Sequence, residues 1–77
     1  MKLFVIGATG RTGSEIVRQG LSRGHQVTAF VRSPEKMKLR NERLSVVAGD
    51  VRDEKRLFDV LRDHDAVFST LGATSPI

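Results

Sequence analysis

The chain has 77 residues, with 13 Lys and Arg against 9 Asp and Glu for a formal charge of +4. Domains of about 60 residues bury only about 60% of their unfolded surface, so a chain of this size builds one modest core at most. The absence of cysteine excludes a disulfide framework and a thiolate metal site. No apolar stretch approaches the roughly 20 residues of a membrane span, and Met1-Lys2-Leu3-Phe4 leads into a strand rather than a secretory leader. A soluble, cytoplasmic protein with one unit over residues 1–77 is the expectation.

In chain order, Leu3 to Ile6 is a short, continuously apolar run, the pattern of a parallel strand buried on both faces. A helical pattern follows, with Ile16, Val17 and Leu21 on one stripe together with Gly13 and Gly20. Glu15, Arg18, Gln19 and Arg23 are left for water. Gly24, tolerant of a left-handed turn, closes it. Gln26 to Val31 reads as a second strand. Ser33-Pro34-Glu35-Lys36 then predicts a short helix with Ser33 as its cap and Pro34 in its first position. Leu44 to Ala48 is a third strand. Asp53 is a plausible cap for a helix that turns Leu57, Phe58, Val60 and Leu61 inward and Lys55, Arg56, Asp59 and Arg62 outward. Ala66 to Leu71 is a fourth strand, stopped at Gly72.

Strands alternating with helices through short connections predict a parallel α/β sheet. Right-handed crossovers give the strand order 3-2-1-4, the front half of a doubly wound, Rossmann-type fold. The first two helices would cover one face and the Asp53–Arg62 helix the other. The strand carrying Val67 and Phe68 would keep a bare edge, open to self-association.

The stretch between the first strand and the first helix places glycines at Gly7, Gly10 and Gly13. Each has a geometric reason. Gly7 turns the chain off the strand, Gly10 keeps side-chain atoms away from an approaching pyrophosphate, and Gly13 allows close packing of the helix. The free N–H groups and positive dipole end of that helix would face the anion.

Arg32 ends the second strand, 19 residues after Gly13. An acidic residue near this point suits the ribose hydroxyls of NAD(H). An arginine suits the 2′-phosphate of NADP(H), which its planar guanidinium can hold with two charge-assisted bonds. Ser33 could add a hydroxyl, and Arg11 could reach the same phosphate from the other side. Arg32, Lys36, Lys38, Arg40 and Arg43 form a basic segment interrupted by Glu35 and Glu42. Such a segment fits a nucleotide phosphate, a nucleic acid or a solvated face. The four phenylalanines fall in strands or on the inward face of a helix, so no aromatic platform accompanies the patch and nucleic-acid binding is not expected.

Val5-Ile6-Gly7-Ala8-Thr9-Gly10-Arg11-Thr12-Gly13, Val31-Arg32-Ser33-Pro34, Gly49-Asp50-Val51 and Val67-Phe68-Ser69-Thr70-Leu71-Gly72 follow one another in order. In these motifs the chain resembles the atypical short-chain dehydrogenase/reductases with NAD(P)H-binding, NmrA-like domains, and among them the biliverdin-IX-beta/flavin reductase type. The resemblance implies that Gly7, Thr9, Gly10, Arg11, Thr12 and Gly13 cradle the phosphates, and that Arg32 and Ser33 hold the 2′-phosphate. It implies that Asp50 takes the adenine amine through its carboxylate and Val51 contacts the ring through backbone. Leu71, Gly72 and Ala73 would pass beneath the nicotinamide ribose. For Asp50 a local role, as a turn residue bonded to nearby backbone, is the competing explanation.

The resemblance further implies an NAD(P)H-dependent reductase of flavin or a similar small acceptor in a longer protein, with this chain inactive alone. A non-catalytic dinucleotide sensor acting through a protein partner is the alternative. The chain has no tyrosine, so the Tyr-x-x-x-Lys proton donor of many short-chain enzymes is not among its residues. No catalytic residue and no metal site is expected. His25 and His64 read as solvated turn residues without metal-ligand spacing, and Asp53 reads as a helix cap rather than an acid–base partner of Asp50.

Overall fold

The computed structural model describes residues 1–69. Its elements are β1 (Lys2–Ile6), α1 (Arg11–Ser22), β2 (Gln26–Val31), a 3-10 turn (Pro34–Lys36), β3 (Leu44–Ala48), α2 (Glu54–Leu61) and β4 (Ala66–Ser69). The four strands form one parallel sheet in the order β3-β2-β1-β4, the order expected for the front half of a doubly wound fold. Leu3 lies beside Val27 and Ala66, and Val5 beside Ala29 and Phe68, so the apolar residues align in rows across the sheet.

Alternation along the central strands divides the core into two layers. On one face Leu3, Val5, Val27, Ala29 and Val31 pack against Val17 and Leu21 of α1 and against Met37. On the other, Phe4, Ile6 and Phe30 meet Val47, Val51, Leu57, Val60 and Leu61. The rings of Phe4 and Phe30 stand 5.6 Å apart, and Phe4 is fully buried. Two helix ends are built as the sequence predicts. The N–H of Gly24 donates to Leu21 O and that of His25 to Gly20 O, both at 3.0 Å, which is a Schellman closure of α1. Asp53 caps α2, its Oδ1 accepting from the N–H of Arg56 at 3.3 Å.

Four expectations need correction. Ser33 makes no side-chain cap, and the segment after it is a single 3-10 turn. Phe58 points out of the core and is 63% exposed, because Leu57, Val60 and Leu61 already fill the narrow contact between α2 and the sheet. Arg56 is not simply turned to water: its Nε and Nη2 donate to Ala48 O at 3.0 and 2.9 Å, tying α2 to the end of β3. His64 is half-buried, not solvated. Its Nε2 pairs with the Thr28 hydroxyl at 2.8 Å, and its ring meets Phe4 edge-on at 5.1 Å. Asp65, next to it, starts the β1–β4 pairing. Its carboxylate accepts from Lys2 N at 2.8 Å while its own N–H donates to Lys2 O at 2.8 Å.

Among the described residues β4 pairs with β1 alone, and Val67 and Phe68 are 49% and 39% exposed. No helix among the described residues is long and apolar enough to cross a membrane.

Candidate functional site

Parallel strands all deliver their last residues to one end of the sheet, and there β1, β2 and β3 open into a common cavity of about 440 Å³. Ile6, Gly7 and Thr9 come from β1 and its turn. Phe30, Val31, Arg32, Ser33 and Lys36 come from β2 and the 3-10 turn, and Gly49, Asp50, Val51 and Arg52 from the loop after β3. One end of such a sheet is where nucleotides bind in open α/β folds.

The turn after β1 is organised by backbone. Gly7 has φ 79°, a left-handed conformation that a side chain would strain, and its carbonyl accepts from Gly10 N at 3.2 Å. Gly13 is required by packing. A Cβ there would stand 2.1 Å from Gly7 O and 2.9 Å from Ala8 Cα, inside the turn itself. Contact between α1 and the sheet is instead made at Gly20, where a Cβ would come 2.9 Å from the Leu3 side chain. Gly10 differs from both: among the described residues a Cβ there would meet only Gly7 O, at an ordinary 3.5 Å. Gly10 also cups the start of α1, which has no side-chain cap and no acidic residue in its first turn. No acidic side chain of the first turn offsets the electropositive helix end.

Of the residues singled out in the sequence, Gly7, Thr9, Arg32, Ser33, Asp50 and Val51 line this cavity together. Gly10 and Gly13 belong to the turn at its border. Arg11 and Thr12 do not join it. They line the mouth of a second, larger groove of about 590 Å³ on the other flank of α1, with Leu3, Ile16 and Phe68. Leu71, Gly72 and Ala73 lie outside the described residues. Sequence reasoning placed Lys36 only within a basic segment that fits a nucleotide phosphate, and missed the cavity role of Arg52. The signals were present: Lys36 follows Arg32 by one helical turn, and Arg52 stands two residues after Asp50. It also missed why position 49 is glycine. A Cβ there would fall 2.4 Å from the Phe30 ring.

Three cations, Arg32, Lys36 and Arg52, face one carboxylate, Asp50. Asp50 takes the local turn role weighed for it, and it also lines the cavity. Its Oδ1 accepts from the Arg52 N–H at 2.9 Å, closing an Asx turn, and the carboxylate opens on the cavity. The Arg52 guanidinium bonded to it, then the Arg52 backbone N–H and the charges of Arg52 and Arg32, hold the Asp50 carboxyl at about 2, below its ordinary 3.8.

A parallel sheet whose first strand ends in a glycine turn beneath an uncapped helix, with a cationic cavity at the next strand ends, defines a dinucleotide-binding domain of the Rossmann type. The chain belongs to the NAD(P)H-binding family, whose model matches residues 7–76. The fold is similar to that of a candidate epimerase from Bacteroides thetaiotaomicron, with a TM-score of 0.85 and 42% identity over 92% of this chain and 33% of that one. It is similar also to a candidate NADH-flavin reductase from Streptococcus pneumoniae, with a TM-score of 0.77 and 41% identity over 99% of this chain and 33% of that one. Among curated proteins, the photosystem II assembly factor Ycf39 of Synechocystis is 36% identical, covering 100% of this chain and 24% of the relative. The chain therefore spans a quarter to a third of the length of these proteins. A nicotinamide dinucleotide is the cofactor class of the family.

Proposed function

We propose that the chain is the NADP(H)-binding part of an oxidoreductase that passes hydride to flavin or a similar small acceptor. The observation that carries the cofactor half of this reading is the meeting of Arg32, Ser33 and Lys36 in the cavity beside the glycine turn. Two cations and a hydroxyl form a setting for a dianionic phosphate rather than for ribose hydroxyls, which an acidic residue would bind. The glycine turn supports the same reading. None of the described residues crowds position 10, which supports a need for glycine from the ligand side, a pyrophosphate lying against backbone and helix end.

Bound there, the dinucleotide would supply the hydride. This chain's residues would bind and orient it: the turn and the start of α1 at the pyrophosphate, Arg32, Ser33 and Lys36 at the 2′-phosphate, and Asp50 and Val51 at the adenine. The reductase half of the proposal rests on the likeness to the candidate NADH-flavin reductase, and the acceptor would be bound by residues of a longer protein. A second reading, a dinucleotide-binding regulator that acts on protein partners, draws on the likeness to an assembly factor. Oxidation of NADPH by flavin in the longer protein separates the two readings.

Calorimetric titration with NADPH and NADH tests the cofactor site. The chain is expected to bind NADPH more tightly, and Arg32→Asp to lower NADPH affinity by about 100-fold while changing NADH affinity less than about threefold, the scale of losing a charge-assisted bidentate contact. Equal losses for the two cofactors would remove Arg32 from the 2′-phosphate.

A further inference from the structure

The Asp50 carboxylate is already occupied by its own neighbour. Arg52 donates to it three ways: its backbone N–H to Oδ1 at 2.9 Å, its Nε to Oδ1 at 3.2 Å, and its Nη2 to Oδ2 at 2.8 Å. Nε also leans toward Oδ2 at 3.3 Å. An ionised carboxylate has about four lone-pair sites, and three hydrogens reach it from Arg52, so a fourth donor has room on Oδ2 in place of the share that Nε gives it. The two residues belong to one tight turn, closed by the bond from Asp53 N to Asp50 O at 2.9 Å, so the guanidinium folds back on a carboxylate that the backbone also grips. The Arg52 side chain is 83% exposed, and a pair so open to water adds little to fold stability. Its effect falls on the orientation of Asp50 at the cavity.

We propose that Arg52 is a positioning residue for purine recognition: its fork fixes the Asp50 carboxylate so that one lone pair of Oδ2 accepts from the 6-amino group of adenine, and this sets a preference for adenine over 6-oxo purine dinucleotides. The proposal rests on the assignment of this cavity to the adenine end of the cofactor. Its logic lies in the base edges. Adenine presents a donor at position 6. Hypoxanthine presents an acceptor there and a donor at N1. A carboxylate free to swing could follow the donor from one position to the other, whereas one clamped by Arg52 meets the 6-oxo group as an acceptor facing an acceptor. Arg32 and Lys36 share the cavity with Asp50, and its own turn adds Arg52, so every charged group facing it among the described residues is cationic. With its carboxyl held at about 2, Asp50 stays an acceptor throughout the range in which the chain would bind cofactor.

The test is titration of the full chain with NADPH and with its hypoxanthine analogue at pH 7 and pH 4. The wild-type chain is expected to favour the adenine form by about tenfold or more, the scale of a hydrogen bond to a charged group, at both pH values. In Arg52→Gln the preference should fall to about threefold or less at pH 7 and fall further at pH 4, where a carboxyl back in its ordinary range is partly protonated. Arg52→Lys should recover part of the preference. If Asp50→Ala abolishes the preference but Arg52→Gln keeps it at both pH values, the positioning role is overturned and the adenine pocket stands. If the wild-type chain binds neither dinucleotide, or both equally, the pocket assignment falls, and this proposal with it.

Discussion

The first half of the described chain and the second are built from similar sequence and end in different states. Every buried residue among those described lies between Leu3 and Met37, and none falls in β3, α2 or β4. Yet Leu44-Ser45-Val46-Val47-Ala48 and Ala66-Val67-Phe68-Ser69 are hardly less apolar than the strands of the first half. Topology makes the difference. β1 and β2 each have a strand on both sides, while β3 and β4 each have one. The first βαβ unit thus lies at the centre of the sheet, covered by α1 on one face and by α2 of the second half on the other. The second contributes the rim of the cavity, with Asp50 and Val51 half-buried and Arg52 exposed.

Substitutions can break or sharpen this contrast. Phe4→Ala, in the fully buried centre, is expected to cost about 3–5 kcal/mol in urea denaturation, enough to unfold a marginal domain. A smaller loss would mean that the first unit is no more a core than the second. Next comes the pair Gly13→Ala and Gly10→Ala. The former drives a Cβ into Gly7 O and should cost about 2–3 kcal/mol. The latter meets only ordinary contact, so its melting temperature should move little while NADPH binding weakens at least tenfold. If Gly10→Ala kept full affinity, the turn would be a structural corner and not a cradle. The smallest effect is expected at the far end of the contrast. Phe58→Ser, on the open face of α2, should change stability by no more than about 0.5 kcal/mol. A large loss there would show Phe58 covered in solution, by another copy or another segment.

The pH response belongs to the same comparison. The folded Asp50 carboxyl titrates at about 2, below its ordinary 3.8, so its bonds to Arg52 support the fold above that ordinary value and are lost as pH falls toward about 2. Because both side chains reach the surface, water screens most of this contribution.

Periodicity and glycine spacing determined a good deal by themselves. The alternation of short apolar runs with helical stripes sets the element order, and the handedness of βαβ crossovers then leaves one strand order for a sheet of this kind. Gly7, Gly24 and Asp53 announce their turns and cap because their chemistry is local: a positive φ, a closure, a side-chain acceptor three residues from its donor. What tertiary structure alone decided involves neighbours remote in sequence, or the angle at which an element meets the sheet. Phe58 and Leu57 are adjacent on one helix, and only the narrow seat of α2 decides which is covered. His64 lies in a turn of charged residues, but the sheet brings Thr28 and Phe4 to it across 36 and 60 residues. Arg11 and Arg32 look like partners on one phosphate until α1 turns the first toward the opposite flank. Local chemistry can be read along the chain. Convergence depends on which strand ends the sheet brings together.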